Sequence, residues 1–343
     1  MKKILLILAA FTGLMVMSGC SKDDPAPVPT LSVSPENIQA TATAGSYTIN
    51  VTSNASWTAT CAETWCTLTG ASAIGNGAIT VNVAENTTFD NPRTATVTIT
   101  AGELTETVSV EQEALVPDVE FTFTSAVIFF NATAQKLTID WGDGTTDDYV
   151  NIVQANIVHG YQENASHTVR IIEEQLTKLD VTSKNITSLD VSGCAALTSL
   201  SCSSNQLSSL DLSKNTSLET LYCASNQLVN LNLSNHTALT ELGCQSNQLA
   251  SLDVSGCTAL TYLICSNNQL ASLDISGCVA LGTSTMYSTP VNLATNQLSA
   301  DALNNIFTAL PTVTTSPDIS IAGNPGTATC NTSIATDKGW EVY

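Results

Sequence analysis

The chain has 343 residues, 43% of them hydrophobic, a length that suggests two or three domains with sizeable cores. Acidic residues outnumber basic ones 30 to 10, which gives a formal net charge of −20 at pH 7. This balance argues against nucleic-acid binding and against electrostatic docking to anionic membranes, because no basic patch is available to neutralise phosphates. Charged residues make up only 12% of the chain, a composition that suits exposed β-structure better than helices.

Residues 1–19 have the pattern of a signal peptide. A short basic segment precedes an apolar run over residues 4–17, which is too short for a membrane-spanning helix. The run ends in the sequence MSGC at residues 17–20, which resembles the lipobox of bacterial lipoproteins, although leucine is commoner at the position of Met17. The resemblance implies cleavage before Cys20 and attachment of lipid to its thiol.

The residues after Cys20 bear on the compartment. The sequence KDD at residues 22–24 resembles the signal that sends some lipoproteins to the outer face of the outer membrane. It implies a surface-exposed, lipid-anchored protein, with a periplasm-facing lipoprotein as the alternative. Residues 20–30 thus combine the lipidated cysteine with a linker, whose prolines make it a semi-rigid spacer.

Residues 31–114 are predicted to form a small β-sandwich. Short segments such as residues 47–51 (YTINV) alternate with period two and are separated by glycines. Evenly spaced strands of this kind indicate an immunoglobulin-like sandwich. The segment resembles the BACON family in the following motifs: LxVxP at 31–35, SNxxW at 53–57, Trp65, Asn86 before Arg93, and VEQ at 110–112.

Two tryptophans of this segment are candidate binding residues. The BACON resemblance implies glycan or mucin binding, and Trp57 and Trp65 have side chains that stack on sugar rings. The preferred interpretation places both in the sandwich core, because the alternation around them is that of strands with one buried face. Cys61 and Cys66 flank Trp65, and in an exported protein they form either a disulfide or two buried thiols.

Residues 118–175 again have strand patterns. The sequence WGDGT at residues 141–145, followed by Tyr161 and by HTV at residues 167–169, resembles PKD-type immunoglobulin-like domains. We interpret the segment as a cap that covers the first unit of the repeats that follow. An ordinary Asp-Gly turn is preferred to a Ca²⁺ site, because the aspartates do not have EF-hand spacing. The aspartates concerned are Asp140, Asp143, Asp147 and Asp148.

From Leu176 the chain repeats every 21 residues through five consecutive units that end at residue 280. The consensus LxxLxCxxNQLxxLDLSxxxx resembles the leucine-rich repeat of the 21-residue, internalin-like type. Two looser units follow, with a helical pattern at residues 301–310 between them. The resemblance implies a solenoid over residues 176–325 with a parallel sheet on its concave face, closed by a C-terminal cap at residues 326–343.

Three columns of the repeat are expected to be structural. The asparagines should bond the turn backbone of their own or the next repeat. The cysteines are interpreted as buried thiols, because ligands standing in a row ~4.8 Å apart cannot converge on a metal ion. The aspartates could bind Ca²⁺ between repeats, but capping of their own turns is preferred. The columns are Asn205, Asn226, Asn247, Asn268, Asn296 and Asn324; Cys202, Cys223, Cys244 and Cys265; and Asp190, Asp211, Asp253 and Asp274, with Asn232 between them.

The outward positions of the repeat strands are the candidate binding surface. Only one patch combines aromatic, apolar and polar side chains, which is what a protein-binding surface needs. The alternative is an ordinary solvated sheet face, as the serines of the second repeat indicate. The patch consists of Tyr222, Glu241, Gln245, Tyr262 and Ile264.

The sequence indicates no enzyme, no metal site and no cofactor. His159, His167 and His236 form no ligand pair, and neither a nucleophile elbow nor a phosphate loop is present. The leading hypothesis is a non-enzymatic surface lipoprotein that binds a protein ligand, as in adhesion, through the concave face. The alternatives are a glycan- or mucin-binding accessory protein that uses the BACON-like domain, and a purely structural surface protein.

Overall fold

The computed structural model describes residues 27–284 and 288–343. Cys20 and the expected signal peptide lie outside these residues. The chain divides into two compact units, Met1–Val116 and Pro117–Tyr343. Strands dominate both units, which confirms the prediction of a mainly β protein.

The described part of the first unit contains two sheets. One has the order β1-β3-β7-β5 and the other has the order β2-β9-β8-β4-β6. The strands are β1 (Leu31–Ser34), β2 (Asn37–Ala40), β3 (Gly45–Ser53), β4 (Ser56–Cys61), β5 (Cys66–Thr69), β6 (Ser72–Ile74), β7 (Gly77–Val83), β8 (Arg93–Ala101) and β9 (Leu104–Gln112). Their period-two alternation buries one face of each long strand, as in β8, where Val97 and Ile99 are fully buried. Residues from both sheets form one continuous hydrophobic core.

The second unit begins with four long strands and continues with short ones. The first strands are β10 (Val119–Thr124), β11 (Val127–Asp140), β12 (Thr146–Gly160) and β13 (Ser166–Glu174). The strands of the repeats are β14 (Lys178–Asp180), β15 (Ile186–Asp190), β16 (Ser199–Ser201), β17 (Thr220–Tyr222), β18 (Asn230–Asn232), β19 (Glu241–Gly243), β20 (Ser251–Asp253) and β21 (Tyr262–Ile264). The remaining elements are β22 (Val291–Asn292), α1 (Ala300–Ala309), β23 (Asp318–Ser320), α2 (Ser333–Thr336) and β24 (Glu341–Val342).

Each repeat contributes a strand to a single large sheet, and the first repeat contributes a second one, β15, which pairs with β10. β14, β16, β17, β19 and β21 pair in parallel, and each central leucine lies opposite the leucine 21 residues further along, as Leu200 does with Leu221. The sheet continues in parallel through β22, β23 and β24. At its other end β14 pairs antiparallel with β11, so the segment expected to cap the repeats shares their sheet. β12 pairs with β11 to form a long hairpin.

The asparagine column links consecutive repeats: each side chain bonds the turn backbone of its own repeat, as expected, but its second partner is the preceding repeat. The side-chain oxygen of Asn205 accepts the backbone N–H of Ile186, and its nitrogen donates to the carbonyl oxygens of Val181 and Cys202. Each asparagine therefore bonds its own repeat and the preceding one, not the next. The reason is that backbone groups of the preceding turn, such as the N–H of Ile186 and the carbonyl of Val181, lie within hydrogen-bond distance of its amide.

The cysteine and aspartate columns have the structural roles preferred from the sequence. Cys202, Cys223, Cys244 and Cys265 are fully buried thiols. The aspartates accept the backbone N–H two residues further on, as Asp253 does from Ser255 at 3.0 Å, and Asn232 does the same from Ser234. An amide oxygen accepts this N–H as a carboxylate oxygen does, so Asn232 makes the same turn cap as the aspartates.

The last part of the second unit contains the expected helix. The side chain of Ser299 caps α1 by accepting the N–H of Ala302, and α1 ends just before Pro311. Its buried face consists of Leu303, Ile306 and Phe307. Trp340 is also buried, and its indole N–H donates to the carbonyl oxygen of Pro311 at 2.8 Å.

Candidate functional site

Four of the five residues of the predicted patch lie on neighbouring strands of the large sheet. Glu241 lies directly opposite Tyr262 in the ladder, and Tyr222 and Ile264 lie on either side of Gly243. Gln245 follows on the same face, two residues after Gly243. We call the outward residues of β14, β16, β17, β19 and β21 the strand face; β14 and β16 contribute Lys178, Asp180, Ser199 and Ser201 to it.

Tyr222 has a fixed position on the strand face. Its hydroxyl donates a hydrogen bond to Oε2 of Glu241. A Cβ atom added at Gly243 would lie 2.7 Å from Cδ1 of Tyr222, so the glycine allows the ring to lie against the backbone of β19. The ring is therefore held before any ligand arrives, which lowers the entropic cost of using it as an anchor.

Gln245 has a buried acceptor without a donor. Its Oε1 atom is inaccessible to solvent and has no hydrogen-bond partner among the residues that the structure describes. Most buried polar groups in proteins are paired, and an unpaired one costs about 1–3 kcal/mol. Because the atom is closed to solvent, the Gln245 side chain has to turn outward before an N–H or O–H donor of a ligand can remove this cost.

A cavity of about 400 Å³ opens on the strand face beside the first repeat. Most of its lining is polar, with one ammonium and one carboxylate group. Sequence reasoning missed it, because residues 118–175 were treated as a cap with no part in the binding surface. The lining residues are Asn131, Ala132, Thr133, Gln154, Lys178, Leu179, Asp180, Ser199 and Ser201.

The two tryptophans of the first unit differ in exposure. Trp57 is only 2% exposed, and its indole N–H donates to the carbonyl oxygen of Gly75 at 2.8 Å. Trp65 is half-buried against the core, and the Arg93 guanidinium lies 4.4 Å from the centroid of its ring. The core placement preferred from the sequence therefore describes Trp57, which has no face open to a sugar.

The cysteine pair of the first unit consists of free thiols in this structure. Cys66 is buried and Cys61 is partly exposed. Burial, followed by a hydrogen bond with Cys61, raises the pKa of the Cys66 thiol to about 12. The thiol is therefore protonated and unreactive at neutral pH.

The aspartates near residue 143 accept hydrogen bonds within the turn that joins β11 to β12. Asp140 accepts the N–H of Gly142, and Asp143 accepts both the N–H and the hydroxyl of Thr145. These bonds from Thr145, with a smaller contribution from His159, lower the pKa of Asp143 to about 2. No group of three or more histidine, cysteine, aspartate or glutamate side chains within residues 27–284 and 288–343 could hold a metal ion.

A stack of aromatic rings beside this turn was not foreseen. His159 lies parallel to Trp141 with ring centroids 4.4 Å apart, and His167 stacks on Tyr161 at 3.7 Å. Nε2 of His159 is 2.9 Å from the carboxylate of Asp143. The only sequence signal was the order of Trp141, Tyr161 and His167, which entered the PKD-type resemblance and was not considered as a cluster.

Comparison with known proteins assigns part of the first unit. Residues 55–113 match the BACON family, which is described as "Putative binding domain, N-terminal". The resemblance stated above is thereby confirmed for these residues. No curated protein matches the chain.

Several solved structures show local likeness. A functional domain of InlJ from Listeria monocytogenes, which includes a cysteine ladder, is 31% identical over 47% of this chain and 37% of that chain, with a TM-score of 0.37. A GH5 xyloglucanase from Bacteroides ovatus, in complex with a XXXG heptasaccharide, is 28% identical over 25% and 19%, with a TM-score of 0.24. The secreted serine protease VesC from Vibrio cholerae is 8% identical over 42% and 46%, with a TM-score of 0.18. This chain spans less than half the length of each of them.

Within the part of the chain that the structure describes, no helix combines the length and the hydropathy required to cross a membrane.

Proposed function

We propose that the chain is a non-enzymatic surface lipoprotein that binds a protein ligand through the strand face, which lies on the concave side of a leucine-rich-repeat solenoid. The proposal rests on two groups that lie side by side above Gly243. One is the fixed aromatic ring of Tyr222, and the other is Oε1 of Gln245, a buried acceptor that lacks a donor. Aromatic anchors beside desolvated polar groups are typical of the residues that dominate binding energy in protein interfaces. The match of residues 55–113 to a family of binding domains is further support.

The proposal includes no catalytic step and no cofactor. The carboxylate of Glu241 is only partly buried and already accepts the hydroxyl of Tyr222. The arrangement is suited to holding a ligand rather than transforming it.

Placement at the outer surface is part of the proposal and depends on Cys20. If Cys20 carries lipid, metabolic labelling with a fatty acid will mark the wild-type chain and not the Cys20→Ala variant. Digestion of intact cells with an external protease then separates the surface orientation, in which the chain is cleaved, from the periplasmic alternative, in which it is protected.

Glycan binding through Trp57 and Trp65 has less support. Trp57 is buried in the core of the first unit, so its substitution by alanine removes core packing and is expected to cost about 3–5 kcal/mol. Trp65 is the better probe of a glycan site, because it is partly accessible. Retained capture of a glycan by Trp65→Ala would remove this alternative.

The test of the proposal is capture by the immobilised full chain from an extracellular protein extract. The Tyr222→Ala/Tyr262→Ala double variant removes both aromatic anchors. The matched control is Gln227→Ala/Gln248→Ala, which changes two exposed residues of neighbouring repeats beside the asparagine column. We expect one protein to be captured by the wild type and the control and about tenfold less by the tyrosine variant. Equal capture by all three would contradict the proposal, and no capture by any would favour a purely structural role.

A further inference from the structure

The strand face continues beyond the repeats onto the hairpin of β11 and β12. Asn131 lies opposite Asp180, and the adjacent pair, Ala132 and Leu179, is buried. Because neighbouring residues of a strand point to opposite faces of the sheet, Asn131 faces outward with Asp180. The outward face of β11 is therefore the same surface as the strand face.

The hairpin adds exposed apolar side chains to this surface. Val127, Phe129 and Val158 are 51%, 50% and 53% exposed, respectively, and Phe129 lies directly opposite Val158 in the ladder. We call these three residues the hairpin patch. Isolated exposed valines are common, but an aromatic ring with two valines on one face is a candidate contact surface.

Two lysines lie at the same end of the surface. Lys178 is exposed at the start of β14 and lines the 400 Å³ cavity. Lys184 occupies the asparagine-column position of the first repeat, and its Nζ atom lies 3.3 Å from the centroid of the Phe129 ring. This contact explains why the first repeat has a lysine in place of the asparagine, because its neighbour on that side is the hairpin and not another repeat.

The ammonium of Lys184 is partly buried, which lowers its pKa, and the nearby carboxylate of Asp180 opposes this shift. Lys178 lies opposite Thr133, four residues along β11 from the Phe129 ring that Lys184 contacts, so the two ammonium groups are separated along the strand direction. Of the two, Lys178 is exposed and lines the cavity, and it is the one available to a carboxylate of a ligand. Two lysines and one aspartate give this end of the surface a local excess of positive charge in a chain whose net charge is −20.

We propose that this end of the strand face receives an acidic side chain of the protein ligand, with an aliphatic or aromatic residue about four positions away in an extended segment of the ligand. The carboxylate enters the cavity next to Lys178, and the apolar side chain packs on the hairpin patch. The spacing follows from the ladder, in which Lys178 lies opposite Thr133, four residues along β11 from Phe129. This inference rests on the proposed function and adds the chemistry of the ligand to it.

The experiment uses a random-peptide library displayed on phage and selected on the immobilised full chain. The most enriched peptide is then synthesised with a fluorescent label, and its dissociation constant is measured by anisotropy. We expect enriched peptides to share an acidic residue about four positions from an apolar one. Selection of peptides without this feature, or no enrichment, would overturn the inference.

Substitutions on the proposed surface test where the peptide binds. Phe129→Ala and Lys178→Glu should each weaken binding by about tenfold, because each removes one of the two proposed contacts. Val153→Ala is the control for Phe129, as it changes a 79% exposed residue of the same hairpin, and Lys214→Glu is the control for Lys178, as it reverses an exposed charge outside the strand face. Binding that is equally strong in Phe129→Ala and Lys178→Glu would overturn the inference.

The Tyr222→Ala variant separates this inference from the proposed function. If it weakens the peptide while Phe129→Ala and Lys178→Glu do not, the strand face binds polypeptide but the hairpin end does not take the acidic residue. If none of the three matters, both the inference and the proposed function fail.

Discussion

The side-chain oxygen of Asn226 accepts the backbone N–H of Leu207 at 3.0 Å across the boundary between two repeats. The amide nitrogen of Asn226 donates to the carbonyl oxygens of Cys202 and Cys223 at 3.0 and 3.1 Å. One side chain thus pairs three buried backbone groups. The second unit depends on this arrangement, because the short strands leave the turns with few backbone partners.

Replacement of Asn226 by alanine should destabilise the second unit by about 3 kcal/mol, because three buried backbone groups lose their partner at once. Urea denaturation followed by circular dichroism will measure the change in the free energy of unfolding. Gln227→Ala is the matched control, since Gln227 is exposed, and should change it by less than about 0.5 kcal/mol. A similar loss in both variants would contradict the role assigned to the asparagine.

The buried thiols should make the second unit less stable in alkali. Burial raises the pKa of Cys223 and Cys265 from 9.0 to about 12. The stabilising contribution of the buried thiols is complete below pH 9. Between pH 9 and 12 the thiols of the unfolded chain lose their protons, whereas those of the folded chain keep them. The free energy of unfolding therefore falls as the pH rises through this range. Each thiol contributes a slope of up to about 1.4 kcal/mol per pH unit.

The measurement is urea denaturation of the wild type and of Cys223→Ala at several pH values above 9. The variant should be less stable below this pH, because alanine leaves a cavity, but its stability should fall less steeply as the pH rises. Identical slopes would mean that Cys223 titrates similarly in the folded and unfolded chains.

Gly77→Ala should destabilise the first unit by about 1–3 kcal/mol, because the added methyl would lie 2.7 Å from Cζ2 of the buried Trp57. Thermal unfolding followed by tryptophan fluorescence is the measurement. Gly160→Ala is the control for a glycine-to-alanine change, since an added Cβ at Gly160 meets no atom within 4 Å. If Gly77→Ala unfolds like the wild type, the core is looser around Trp57 than the structure shows.

Gly243→Ala should weaken binding of the ligand as much as Tyr222→Ala does. The added Cβ would lie 2.7 Å from the Tyr222 ring, which must then leave its position on the backbone of β19. The measurement is the dissociation constant of the captured protein, with circular dichroism to confirm folding. Ser251→Ala, a small change at an exposed residue of β20 outside the strand face, is the control. Normal affinity of Gly243→Ala would show that the position of the ring is not important for binding.

Much of the repeat architecture could be predicted from the sequence. The 21-residue spacing sets which leucines pair, and a single asparagine at a fixed offset indicates the inter-repeat bonds. Four patch residues, Tyr222, Glu241, Tyr262 and Ile264, lie on neighbouring strands because they occupy the outward strand positions of successive repeats. Their role in binding stays a prediction.

The hairpin end of the surface could not be predicted in the same way. The pairing of Asn131 with Asp180 joins two strands that have no shared repeat, so its register is set by packing in the folded unit. The sequence identified Lys184 as an exception in the asparagine column, but its contact with Phe129 depends on that register. The cavity has the same origin, since its lining comes from both sides of this junction.

The most direct test of the account is site-specific photo-crosslinking of the captured protein. A benzophenone side chain is placed by Tyr262→p-benzoylphenylalanine on the strand face, and by Gln248→p-benzoylphenylalanine at an exposed position beside the asparagine column. Binding through the strand face predicts a strong crosslink from position 262 and a weak one, or none, from position 248. A crosslink from position 248 alone would contradict the account, because the ligand would then contact the repeats away from the strand face.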